Sequence, residues 1–184
     1  MLTHKGTQTI TTSRLVLRQF ALSDAQAMFD NWARDEKVAH YVPWPAHTSP
    51  DVTKSLLTQW CLCYADEKYY NWVITLSGQP IGNISVVRQN EKSRWCELGY
   101  CLGSAYWNKG IMTEAVQAVI DYLFDVVGFH RIVIEHAANN PASGKVAQKC
   151  GFKMEGVARE SYQNAAGEFG DIVSYAILQT DRRE

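Results

Sequence analysis

Three strand-like stretches separated by short polar turns run between Tyr69 and Leu102. A long helical pattern at Gly110–Val127 then divides the last of them from another strand at Arg131–Ala137. The three stretches are Tyr69–Leu76, Ile81–Arg88 and Trp95–Leu102, joined by Ser77-Gly-Gln-Pro80 and by Gln89–Ser93. Short turns join antiparallel neighbours, so 69–102 reads as a meander. A helix between two strands makes a crossover, and a crossover brings the chain back parallel to the strand it left. The pattern therefore predicts a mixed sheet, mostly antiparallel, with strands 94–102 and 131–137 as parallel neighbours.

The flanking sequence supplies the other layers. Arg-Leu-Val-Leu-Arg-Gln-Phe within Ser13–Phe20 reads as a strand. Ser23-Asp-Ala-Gln26 has the form of a capping box, and Ala25, Met28, Phe29 and Trp32 follow at helical spacing. Tyr41-Val-Pro-Trp-Pro45 breaks the chain. Ser49-Pro50 offers an N-cap with proline at the first helical position, and the helix it starts ends near Ala65. Asn140–Lys149 reads as a short helix closed by Gly151. Phe152–Tyr162 and Phe169–Leu178 form a final hairpin. Residues 1–11 are polar and expected as a flexible N-terminal tail, and 12–180 as one α/β mixed domain of seven strands and about four helices.

The chain has 184 residues, 46% hydrophobic and 20% charged, with a formal net charge of -1. The length suits one domain with a real core, and the charge lacks the basic footprint of a nucleic-acid binder. The five cysteines, Cys61, Cys63, Cys96, Cys101 and Cys150, include no CxxC pair and read as reduced thiols rather than zinc ligands. No apolar run approaches a membrane span, and Met1–Ile10 is too polar for a signal peptide. The expected setting is cytoplasmic, without metal, nucleic acid or membrane.

Two stretches carry chemistry. In Glu97–Ala115 a strand enters a short loop that opens an amphipathic helix. The first turn of a helix has unpaired N–H groups and the positive end of the macrodipole. Gly110 lets the loop curl and a ligand approach, so backbone amides alone can hold a pyrophosphate. In Asn139–Phe152, Asn140 is an N-cap with Pro141 at N1, and Ser143 falls on the first turn.

Together the two stretches resemble the GNAT superfamily of N-acetyltransferases. Trp107-Asn-Lys-Gly110-Ile-Met112, followed by Thr113-Glu-Ala115, stands for the phosphate-loop pattern Gln/Arg-x-x-Gly-x-Gly/Ala. Asn140-x-x-Ser143 and Lys149-x-Gly-Phe152 are similar to the subgroup that acetylates the N-termini of ribosomal proteins. Ser13-Arg-Leu-Val-Leu-Arg18, Asp24, Glu97-Leu-Gly-Tyr100, Glu155-Gly-Val-Ala-Arg159, Gly167 and Asp171 agree in order over about 165 residues. Trp107 departs from the Gln/Arg of the pattern, and Asn108 and Met112 stand where small residues are usual.

The resemblance implies a GNAT fold whose parallel central strands splay apart, with acetyl-CoA as cosubstrate and no metal. It places the pyrophosphate on Trp107, Asn108, Lys109, Gly110, Ile111, Met112 and Thr113. The pantetheine arm runs along Tyr100, Cys101 and Leu102, with Asn140 and Ser143 beside it. Many members carry a tyrosine acid where this chain has Ala147, so the subgroup's serine, Ser143, is the expected thiolate partner.

The acceptor amine must lose a proton. At pH 7 this costs about 1 kcal/mol for an α-amine and about 4.6 kcal/mol for a lysine, so a carboxylate acting through water suffices for an N-terminus. Glu97, Glu135 and Glu160 compete for that role. His40, His47, His130 and His136 show no metal spacing, and His136 points to the sheet face opposite Glu135. Trp44, between two prolines, is the expected substrate-wall residue, with Glu160 near the mouth of the last strands.

Three functions remain in competition: acetylation of a protein or peptide N-terminus of the ribosomal type; acetylation of a small amine such as a polyamine, amino acid or aminoglycoside; and a non-catalytic CoA-binding module. The chain acts as a monomer or homodimer.

Overall fold

A computed structural model describes residues 1–164 and 167–183. Among these, eight strands form one sheet in the order β1-β2-β3-β4-β5-β6-β8-β7. The strands are β1 (Ile10–Thr11), β2 (Leu15–Arg18), β3 (Asn71–Leu76), β4 (Gln79–Asn90), β5 (Trp95–Leu102), β6 (Arg131–Ala137), β7 (Lys153–Gln163) and β8 (Phe169–Leu178). Every neighbouring pair is antiparallel except β5 and β6, which run parallel. The helix α4 (Ile111–Tyr122) makes the crossover between them, continued by a wider turn at Leu123–Val127. The meander, the crossover and the parallel pair are thus as the sequence pattern requires. The β3–β4 hairpin turns on Ser77 and Gly78, both at positive φ, the conformation that matches strand twist in a two-residue loop.

Two apolar layers sandwich the sheet. On one face, Leu15, Leu17, Trp72, Ile74, Ile84, Leu98, Ile132 and Ile134 meet Val116, Val119 and Ile120 of α4 and Ala147 of α5 (Pro141–Lys149). On the other, Val73 meets Phe20, Met28, Trp32, Val38 and Leu57. Phe20 lies in the connection after β2; the others belong to α1 (Ala25–Met28) with its extension Phe29–Ala33, to α2 (Glu36–Ala39), and to α3 (Pro50–Cys63). Successive strand residues point to opposite faces, which is how Trp72 and Ile74 serve one layer while Val73 serves the other.

Three expectations are corrected. The sheet has an eighth strand, and the polar segment 1–11 is not a loose tail. Thr7 is buried; its hydroxyl donates to the Tyr69 carbonyl at 3.0 Å and accepts from the Asn71 amide at 2.9 Å. The Thr3 amide donates to the Val127 carbonyl at 2.8 Å. Side-chain and backbone hydrogen bonds, rather than apolar alternation, hold this segment. The first helix also begins differently. Its turn opens at Leu22–Asp24, and the Asp24 carboxylate, rather than the Ser23 hydroxyl, accepts a backbone N–H, that of Ala21, at 2.8 Å. Ser49 caps α3 as its spacing predicts, accepting from the Val52 amide.

Asp24 ties this helix to β2. Both Arg18 terminal nitrogens donate to it, at 2.7 and 2.8 Å. Burial pushes the Asp24 carboxyl up, but the Arg18 fork and the Ala21 amide outweigh it and hold the pKa below the ordinary 3.8. A depressed folded pKa contributes stability that is present above the ordinary value and lost as pH falls through the folded one. Asp24→Ala is expected to cost about 2–3 kcal/mol, between an exposed and a fully buried pair. Denaturant melts at pH 7 and pH 3 check this, and the mutant's deficit should shrink at the lower pH.

Candidate active site

The loop between β5 and α4 leads into the open first turn of a helix. Asn108 and Gly110, on either side of Lys109, both adopt positive φ, 60° and 72°. Gly110 is the residue that caps α4, and the first bond of the helical type runs from the Glu114 amide to the Gly110 carbonyl at 3.1 Å. The amides of Ile111, Met112 and Thr113 precede it in the first turn, where no intrahelical acceptor exists. Ile111 and Met112 are buried in the α4 core layer, so the bulk of Met112 turns inward and leaves the backbone open. Lys109 is turned onto its own loop, its Nζ donating to the Ala105 carbonyl at 2.8 Å. Trp107, at the Gln/Arg position, anchors the loop through Nε1 to the Leu102 carbonyl at 2.7 Å.

Beside this loop the sheet opens. Pairing of β5 with β6 runs from Trp95 and Arg131 to Leu98 and Ile134 and then stops, although both strands continue. Gly99–Leu102 and Glu135–Ala137 consequently have no partner in each other. Asn140, just beyond β6, caps α5 and accepts from the Ser143 amide at 3.4 Å. Across the gap, the Tyr100 hydroxyl lies 2.9 Å from Ser143 Oγ and donates to the Ser143 carbonyl at 3.1 Å. Burial drives the Tyr100 phenol well above its ordinary value, so this hydroxyl stays protonated. Ala147 is fully buried, which removes that position from the gap and leaves Ser143 as the α5 hydroxyl facing Tyr100. Cys101 points to the opposite face, its thiol donating to Asn83 Oδ1 at 2.9 Å.

That opposite face holds the acidic groups. Glu97 pairs in register with Arg88 and Val133, and Glu135 with Ser174, so all share one face. Arg88 binds Glu97 through Nε and Nη2 and reaches Glu135 Oε2 at 2.9 Å. Burial raises the Glu97 carboxyl above its ordinary 4.5, against the lowering effect of Arg88. The structure thus joins two of the three expected glutamates through one guanidinium. Glu160 is exposed at positive φ in a β7 irregularity, its amide donating to Asp171 Oδ1 at 2.9 Å, apart from that pair. Trp44 packs half-buried on the α1–α3 layer, 5.7 Å from the His47 ring. His136 is buried on the α5 side of the sheet, stacked on Tyr175.

Sequence reasoning missed Arg88, the side-chain role of Tyr100, and a cluster behind the loop formed by Thr12, Ser13, Arg14 and Glu114. Arg88 lies opposite Glu97 across the 91–94 turn, so hairpin register was the available signal. The irregularity between Val86 and Arg88 obscures it.

Residues 14–153 match the acetyltransferase (GNAT) domain family. YoaA, an uncharacterized N-acetyltransferase of Bacillus subtilis, is 31% identical over 91% of this chain and 95% of its own length. The ribosomal protein uS5-alanine N-acetyltransferase of Escherichia coli is 29% identical, covering 94% of this chain and 91% of that protein. Among solved structures, the ribosomal-protein-S5-alanine acetyltransferase of Vibrio fischeri superposes with a TM-score of 0.83 at 25% identity, over 95% of this chain and 98% of that one. The chain belongs to the GNAT acetyltransferase family.

Proposed function

We propose that this enzyme transfers the acetyl group of acetyl-CoA to the α-amine at a protein N-terminus, of the kind its ribosomal-protein relatives acetylate. The observation that carries the reading is the opening between β5 and β6, with amide donors at one end and the Tyr100–Ser143 hydroxyl pair across it. Amides of Asn108–Thr113 bind the pyrophosphate, and the free backbone of Gly99–Cys101 lines the pantetheine arm. A backbone N–H near Tyr100 polarises the thioester carbonyl. Ser143 donates to the sulfur as the C–S bond breaks.

The acceptor approaches from the face of Glu97 and Glu135. Two carboxylates against one guanidinium leave this face with net negative charge, which suits an ammonium that must shed its proton. Glu97 is the base we favour, because its raised pKa brings it nearer the operating pH; Glu135, tied to the same Arg88, shares its field.

The test is free-CoA release from acetyl-CoA with peptides of defined N-terminus, set beside a polyamine, free amino acids and an aminoglycoside. Peptides beginning with alanine or serine are expected to turn over fastest. Faster turnover of a small amine would overturn the acceptor assignment while leaving acetyl transfer intact, and no release with any amine would favour a non-catalytic module.

A further inference from the structure

We propose that Arg14 is a positioning residue for the phosphate-binding loop, fixing the Lys109–Gly110 peptide so that its N–H is presented to the cofactor. The proposal rests on the reading above that this loop binds the pyrophosphate.

Arg14 immediately precedes β2, far from the loop in sequence. Its Nε donates to Glu114 Oε2 at 2.6 Å and its Nη1 donates to the Lys109 carbonyl at 3.0 Å. Glu114 sits in the first turn of α4. Its other oxygen accepts from Thr12 Oγ1 at 2.6 Å, Ser13 Oγ at 3.1 Å and the Arg14 amide at 3.1 Å. Partial burial pushes the Glu114 carboxyl up, but these hydrogen bonds outweigh it and hold the pKa below its ordinary value. The carboxylate therefore stays ionised and grips the segment 12–14 against α4, and Arg14 extends that grip to the loop.

The consequence is stereochemical. In a planar trans peptide the C=O and N–H point in opposite directions. With the Lys109 carbonyl bound to Arg14, the Gly110 N–H must point away from Arg14, free for an anion. Gly110 tolerates both signs of φ, so this peptide flips cheaply unless something holds it. In the flipped state a carbonyl oxygen would face the phosphates and repel them. Arg14 selects the productive state with a planar fork that engages Glu114 and Lys109 at once. A lysine, with a single compact ammonium, does this less well.

Steady-state kinetics with acetyl-CoA and with S-acetylpantetheine, which lacks the pyrophosphate, test the idea. Arg14→Ala should raise KM for acetyl-CoA about tenfold, the low end for losing one charge-assisted bond. Its kcat and its kcat/KM for S-acetylpantetheine should stay within about twofold of wild type. Arg14→Lys should fall between. Glu114→Gln, which keeps an oxygen for Thr12 and Ser13 but offers Arg14 Nε no acceptor, should give the same signature more weakly and serves if Arg14→Ala folds poorly. Equal losses with both thioesters would make Arg14 a merely structural residue, and an unchanged acetyl-CoA KM would refute the latch. If wild type itself treats the two thioesters alike, the pyrophosphate reading fails, and the proposal with it.

Discussion

Gly110→Pro is expected to weaken acetyl-CoA binding by at least ~100-fold in calorimetry, while Lys109→Ala changes it by less than about threefold. Proline holds φ near −65°, and Gly110 stands at +72°, so the turn cannot form as it is. The substitution also deletes the N–H that the Arg14 contact presents, and it restricts the conformation of Lys109 before it. Loss of one bond to a charged group, about 1.5–3 kcal/mol, together with the distorted turn accounts for the magnitude. Lys109 contributes little because its ammonium already binds the Ala105 carbonyl and lies over the Tyr106 ring. Undiminished affinity in Gly110→Pro would remove the pyrophosphate from this loop.

Ser143→Ala is expected to lower kcat by ~10²-fold, in the range for a positioned proton donor, with little change in acetyl-CoA affinity. Negative charge moves onto sulfur as the thioester breaks, so a hydroxyl donor there binds the transition state more strongly than the ground state. The structure adds a second hydroxyl. Tyr100, 2.9 Å from Ser143 Oγ, donates to that oxygen when the serine turns its own proton to the sulfur. Tyr100→Phe should therefore cost about tenfold in kcat, the worth of one orienting hydrogen bond, and little further in a Ser143→Ala background. Rapid-quench kinetics separate chemistry from product release. Near-normal chemistry in Ser143→Ala would mean that the thiolate leaves without this donor and that Ser143 only starts a helix.

The parts of the fold written in local pattern were legible. β5, β6 and β8 fall where their apolar and β-branched runs begin and end, and a helix between strands forces the parallel pair. Asn140 and Pro141 announce the start of α5 in two residues. What stayed hidden depends on register between distant segments. Thr7 replaces strand pairing with its side chain, so the polar N-terminus carries no periodic signal. Arg88 reaches Glu135 across three strands, and Arg14 meets Glu114, 100 positions further along the chain; nothing local marks either pair. The gap between β5 and β6 was expected from the family resemblance alone; composition does not mark it, because it arises where two strands stop pairing while both continue.

The acceptor we propose is an N-terminal α-amine. Lysine must spend about 3.5 kcal/mol more than an α-amine to present a neutral nitrogen at pH 7, more than the single modest base proposed on the Glu97–Arg88–Glu135 face is expected to offset. The most direct measurement is fragment mass spectrometry of one peptide, bearing a free N-terminal alanine and an internal lysine, after incubation with enzyme and acetyl-CoA. A single acetyl group is expected on the α-amine, and none on a matched peptide whose N-terminus is blocked. Acetylation of the internal lysine in the blocked peptide at a comparable rate would contradict the proposal.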